Sequence, residues 1–264
     1  MFSWIQHLFG RTASVKNWVR GNAAIPDAMW LNTLKHFPFL ARRPEGEQHA
    51  LRDMTEEFLA RKQFTAAGGL VMDDDIAVAI AAQACLPVLH LGLKLYDDFK
   101  GIVVHPGPML ARREVTDDNG VVHRYSEELT GEAMENGPVT LSWADVAASG
   151  DSAAAGYNVV IHEFVHKIDM RDGLADGCPP MASMSARSQW QEVVEPAYDA
   201  FCQRVVMAQR FGGEAPWLDS YAAESPAEFF AVACEGFFVN RERFTAEFPE
   251  LTRLFDRFFN TKPA

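Results

Sequence analysis

Apolar side chains recur every three to four positions over Met54–Phe64 and again over Asp74–Leu95, with Asp73, Asp74 and Asp75 placed where acids favour a helix start. The first third of the chain is therefore predicted to be mostly helical. Its most apolar stretch, Ile76–Leu93, is long enough to consider as a membrane span. Gln83, Pro87 and His90 interrupt it, and Lys94, Asp97 and Asp98 follow it, so it reads as a buried helix pair broken near Pro87. From Gly101 the pattern changes. Ile102–His105 is β-branched, Arg113–Tyr125 alternates around the hairpin signal Asp117-Asp118-Asn119-Gly120, and Gly137–Trp143 (GPVTLSW) is a third extended run. These three are predicted to make one small sheet. The helical period then returns over Trp143–Ala148, Tyr157–Asp169, Ser188–Arg210, Ser225–Asn240 and Phe244–Phe259, with Pro179-Pro180 and Gly212-Gly213 marking loops. The class is α+β and helix-dominated, and no linker is long or polar enough to force a domain boundary.

Composition narrows the function classes. The 264 residues are 48% hydrophobic and 11% aromatic, enough to bury a core that offsets ordering entropy, which excludes disorder and a disulfide miniprotein. With 24 Lys and Arg against 36 Asp and Glu the net charge is −12, which repels phosphate backbones and anionic lipid. Direct nucleic-acid binding and a membrane span are not expected. Cys85, Cys178, Cys202 and Cys234 form no close pair, so they suggest neither a zinc knuckle nor a disulfide framework, and a reducing compartment is expected. Met1–Gly10 lacks the charge, apolar run and cleavage site of a signal peptide and reads as a non-secreted, cytoplasmic start.

The chemistry lies in Tyr157–Asp169, which contains His162-Glu163-Phe164-Val165-His166. Two histidines four apart on a helix point the same way and can share one tetrahedral zinc, while Glu163 beside them can reach a water as general base. With 8 histidines and 19 glutamates, this pattern arises by chance only about 0.02 times. It is also embedded in Val159, Val160, Ile161, Phe164, Val165 and Ile168, and a buried helix holds polar groups cheaply only if a metal or hydrogen bonds satisfy them. The alternative is a core helix whose histidines bond carbonyls and carboxylates. A catalytic zinc needs a third protein ligand and an open position, whereas a structural one has a fourth ligand closing it. Glu224, Glu228 and Glu235 lie downstream in YAAESPAEFFAVACEG. Glu228 also fits a capping box with Ser225 and Pro226, and spacing alone leaves the two readings open.

Together HEFVHKIDMRDG, GPVTLSW, YAAESPAEFFAV and EGFF resemble the Mlc titration factor A family, bacterial cytosolic zinc peptidases of the gluzincin type, over roughly Asp97 to the C-terminus. The same segments are similar to the catalytic domain of anthrax lethal factor. The resemblance implies a zincin-like fold, with residues 1–100 as a helical region packed on a catalytic region, 101–264, in one compact unit. It implies zinc held by His162, His166 and Glu228, Glu163 as base, and a Tyr221 hydroxyl near the tetrahedral intermediate. It further implies aminopeptidase-like activity on small peptide substrates and association with Mlc, the repressor of glucose-uptake genes. That association needs no catalysis, so a non-catalytic, repressor-binding regulator with a vestigial or structural zinc site is the competing expectation.

Several residues keep two readings. Tyr221 is either an oxyanion-type donor or a capped interface tyrosine. Asp169 can accept the second ring N–H of a ligand or be a solvated charge at a helix end. Gly137–Trp143 is read as an edge strand able to hold an extended peptide by strand addition, the alternative being an interior strand. His7, His36, His49, His90, His105 and His123 fall in no ligand spacing, and only His105, ending a strand before Pro106, is a candidate to approach the metal. Phe229, Phe230, Phe237, Phe238, Phe244, Phe248, Phe255, Phe258 and Phe259 read as core packing.

Overall fold

Three helices open the described chain, α1 (Asp27–His36), α2 (Pro38–Ala41) and α3 (Glu45–Arg61), followed by strand β1 (Gln63–Ala66) and helix α4 (Asp74–Cys85). The structure, a computed structural model, describes residues 24–116, 122–173 and 175–260. The N-terminal Met1–Gly10 segment and the Asp117–Gly120 turn signal lie outside the described residues. Five strands come next: β2 (Gly101–His105), β3 (Met109–Thr116), β4 (Val122–Leu129), β5 (Gly131–Ala133) and β6 (Val139–Ser142). The remainder is helical: α5 (Trp143–Ser152), α6 (Val159–Asp169), α7 (Met184–Phe211), α8 (Pro226–Val239), α9 (Arg241–Glu247) and α10 (Pro249–Phe259). The helix-dominated α+β class with a small mixed sheet is as expected.

The sheet differs from its prediction in three ways. Its order is β1-β2-β6-β5, with β1, β2 and β6 parallel and β5 antiparallel to β6. First, among the described residues β3 and β4 pair only with each other, in a separate two-stranded sheet. Second, β1 and β5 are additional strands of four and three residues, too short to show a period of two; β1 includes Phe64, assigned above to a helix. Third, the GPVTLSW run is not an edge. Its strand β6 lies between β2 and β5, with Val139 and Leu141 fully buried, and the edge beside α6 is β5.

The helices follow their sequence signals more closely. α4 buries every residue from Ile76 to Cys85, as a core helix should. The expected second helix of that pair is instead a run of turns through Gly92 (φ +87°) and a 3-10 turn at Leu93–Tyr96, because Pro87 offers no N–H to a helical ladder. Among the described residues, no helix is long and apolar enough to cross a membrane. The helix predicted over Phe244–Phe259 is two, broken where Phe248 (φ −130°, ψ 60°) leaves helical geometry and Pro249 starts the next at its first turn. Its phenylalanines form the expected core: Phe237 meets Phe238, Phe244, Phe255 and Phe259 with centroids 5.0–5.8 Å apart.

Helix α6 sits at the centre, against α8, α4 and β5. Its Phe164 packs among Phe58, Tyr96 and Phe99, at 5.7, 5.2 and 5.8 Å. Its start is set by Asn158, whose side-chain oxygen accepts the Ile161 N–H at 2.9 Å while its amide donates to Gln83 of α4 at 2.7 Å. Replacing Asn158 with Ala removes the cap and strands the Gln83 oxygen, and is expected to cost about 2–4 kcal/mol in unfolding free energy, measured by denaturant titration. A loss below about 0.5 kcal/mol would mean that the cap does not hold the helix start.

Candidate metal centre

His162 and His166 project from one face of α6, their ring centroids 4.7 Å apart. Glu228 comes from the first turn of α8. There Ser225 accepts the Glu228 N–H at 3.1 Å, forming the hydroxyl half of the capping box. The Glu228 carboxylate points to the imidazoles: Oε2 lies 3.1 Å from His162 Nε2 and 3.2 Å from His166 Nε2, and the two Nε2 atoms are 3.1 Å apart. A tetrahedral zinc with bonds of ~2.0–2.1 Å spaces its ligand atoms about 3.3 Å apart, so this near-equilateral triangle matches a metal's demands closely. Among the described residues, these three are the one His, Cys, Asp and Glu group compact enough to hold an ion.

Glu235, two turns further along α8, orients the site. It is 1% exposed. Its Oε1 accepts the His162 Nδ1–H at 2.8 Å and its Oε2 accepts the Asn158 backbone N–H. Nδ1–H is thereby held against Glu235 and Nε2 is turned to the site, where the neutral ring would present its lone pair to an ion. Glu235 was visible in sequence as a possible ligand; its orienting role was not. Asp169 fills neither role suggested for it. It is fully buried, its Oδ2 accepts the Gly177 N–H at 2.9 Å, and its Oδ1 has no hydrogen-bond partner among the described residues. Gly177 (φ +78°) passes so close to α8 that a Cβ there would sit 2.4 Å from the Pro226 carbonyl oxygen, so Asp169 steadies the loop beneath Glu228. Glu224 and His105 lie outside the ligand group.

Glu163 and Tyr221 flank the triangle. Glu163 is 5% exposed and lies against β5, where a Cβ on Gly131 would fall 2.4 Å from its Oε1 and 2.7 Å from its Cγ. Only glycine lets the strand come this close. Tyr221 stands on a 3-10 turn, Ser220–Ala223, whose first N–H groups are capped by Asp219, and its ring centroid is 6.1 Å from that of His162. Cavities of about 360 and 340 Å³ lie at the site and share Gly131, His162, Glu163 and Tyr221, so they form one groove running along β5.

A family profile described as "Glucose-regulated metallo-peptidase M90" matches residues 11–260. The chain belongs to the M90 metallopeptidase family. Three similar proteins are each named Mlc titration factor A. That of Klebsiella pneumoniae is 35% identical over 92% of this chain and 88% of its own. That of Cronobacter sakazakii is 34% identical over 91% and 89%, and that of Yersinia pestis 35% over 89% and 85%.

The charges of this M90 chain favour a cation at the triangle. Burial would lower the His162 pKa, but bonds to Glu228 and Glu235 outweigh it and hold it well above the ordinary imidazole value. Burial would raise Glu228, yet its two imidazole partners hold its carboxyl well below the usual carboxylate range. Burial raises Glu163, partly offset by His162 and His166, and raises Glu235 despite its bond to His162.

Two outcomes are expected here. Glu235→Gln loses the carboxylate that fixes the His162 tautomer and should weaken metal affinity about 10–100-fold in a competition titration with a chromophoric chelator; unchanged affinity would remove Glu235 from that role. Burial also pushes Asp169 up to about 7, from 3.8, against the pull of the Gly177 N–H. Between those values the folded chain binds more protons there than the unfolded chain, so this group's contribution to stability falls as pH rises from about 4 to about 7. Asp169→Asn should flatten that slope in denaturant titrations across this range; an unchanged slope would show that Asp169 does not generate it.

Proposed function

We propose that the chain is a zinc-dependent, aminopeptidase-like peptidase, with His162, His166 and Glu228 as metal ligands, Glu163 as general base and Tyr221 as donor to the developing oxyanion. The observation that carries this reading is the ligand triangle of 3.1–3.2 Å opening onto a groove that also holds Glu163 and Tyr221. Zinc held there would supply Lewis acidity, polarising the scissile carbonyl and making a water acidic enough to ionise near neutral pH.

The protein's own groups divide the remaining work. Glu163, its pKa raised by burial, takes a proton from the attacking water and passes it to the leaving amine. The neutral phenol of Tyr221 stabilises negative charge growing on the carbonyl oxygen. An extended peptide aligns along the outer edge of β5 by strand addition, the part first given to GPVTLSW. Residues 1–100 and 101–264 act as one compact unit in this reading, supported by the β1–β2 pairing and the packing of α4 on α6. Four unpaired cysteines support a reducing, cytoplasmic setting.

A second function is supported by the shared name of the relatives: binding a counterpart of the repressor Mlc, and so regulating glucose-uptake genes. Both functions can reside in one chain. Glu163→Gln is expected to keep one metal per chain and lose about 10²–10⁴-fold in peptide turnover. Peptide release at the wild-type rate would eliminate Glu163 as the base, while equal repressor capture by wild type and variant would separate binding from hydrolysis.

A further inference from the structure

Lys167, the residue after the second histidine, is fully buried, an expensive place for an ammonium unless every donor is used. It lies one helical turn from Glu163 on α6. Glu163 and Lys167 stand at i and i+4, but they do not pair with each other. In the structure each contacts a different end of the same strand. Glu163 lies against Gly131, where β5 begins. Lys167 Nζ donates to the carbonyls of Met134, at 2.8 Å, and Gly137, at 3.3 Å, in the turn that leads from β5 to β6. That turn contains Asn136 at φ +50° and is closed by the Gly137 N–H bonding Met134 O at 3.0 Å. The ammonium is completed by Asp98 at 3.1 Å and by the face of Phe99, 4.7 Å from its centroid, while Arg171 reaches Asp98 from the other side at 3.5 Å.

β5 needs such a tether. It has three residues, stands at the end of its sheet with β6 as its ladder neighbour among the described residues, and is entered from a hairpin that is not part of that sheet. A three-residue edge strand paired on one side has little stability of its own. We infer that Lys167 is a positioning residue that ties the outer edge of β5 to the metal-ligand helix, fixing the register of an extended substrate relative to Glu163. The inference rests on the peptidase reading for its substrate; the tether itself does not. Lys167 touches neither substrate nor reacting atoms. Its loss affects alignment along the strand more than the chemical step.

The test compares wild type with Lys167→Met, which keeps the side-chain length and packing but removes the donors, and with Asp98→Asn, which leaves the ammonium in place but weakens its anchor. In the metal-loaded protein, Lys167→Met is expected to speed hydrogen exchange of the amides in residues 131–138 by about tenfold or more, with α6 and α8 unchanged. KM for a reporter peptide should rise about fivefold or more, with kcat within about twofold and one metal per chain retained. Asp98→Asn should shift exchange in the same segment in the same direction by a smaller factor, and it decides the matter if Lys167→Met does not fold. Unchanged exchange in 131–138, or a change spread evenly over the whole chain, overturns the tether. A local exchange increase with KM unchanged overturns its part in substrate register. If wild type hydrolyses no peptide, the peptidase reading fails while the exchange measurement still judges the tether.

Discussion

A carboxylate buried among helices survives only if both its oxygens are held, and Glu235 meets that condition by joining α6 and α8, the two elements that carry the candidate ligand group. One oxygen takes the N–H of the residue capping α6, and the other takes the Nδ1–H of the first histidine. Asn158 continues the connection to Gln83 of α4. The start of α6, the orientation of His162 and the position of α8 are therefore one hydrogen-bonded assembly in a low-dielectric interior, where each bond is strong and each loss is costly. The candidate ligand triangle follows from it: with α6 and α8 locked together, Glu228 in the first turn of α8 can meet imidazoles 62 and 66 residues earlier in the chain.

The same helix serves two surfaces. Its buried side supplies Phe164 to the aromatic group of Phe58, Tyr96 and Phe99. Its groove side carries His162, Glu163 and His166 beside β5. Lys167 lies between these regions, reaching the turn after β5 while resting over Phe99. Burial that would be wasteful for stability alone thus buys a fixed distance between strand and helix. The acidic surplus of the chain extends to the groove, where Glu163, Asp219 and Glu235 line one end, an electrostatic setting suited to a cation.

Much of this was legible in one dimension. Two imidazoles four apart share a helical face whatever the rest of the chain does, so the histidine pair and the neighbouring glutamate follow from local geometry. The helix-rich class, the buried character of α4 and the phenylalanine core likewise follow from periodicity over ten or more residues. Short elements escaped for the same reason in reverse: β1 and β5 hold four and three residues, too few to display a period. The break near Pro87 was legible, but the turns that stand in place of a second helix after it, and the break at Phe248, arise where proline and backbone geometry override a continuing apolar pattern.

Tertiary structure decided what depends on distant segments meeting. Spacing left Glu228 open between a ligand and a capping-box residue, and the family resemblance alone named it a ligand; packing of α8 on α6 sends Glu228 to the Nε2 atoms and Glu235 to Nδ1, because residues seven apart on one helix face a neighbouring helix two turns apart. Asp169 became a support for the Gly177 loop, the GPVTLSW strand an interior one, and Lys167 a partner of two carbonyls. Sequence by itself determined which residues could do chemistry, since that depends on side-chain type and one helical turn. Which of them converge was settled by long-range burial and pairing, which no local pattern encodes.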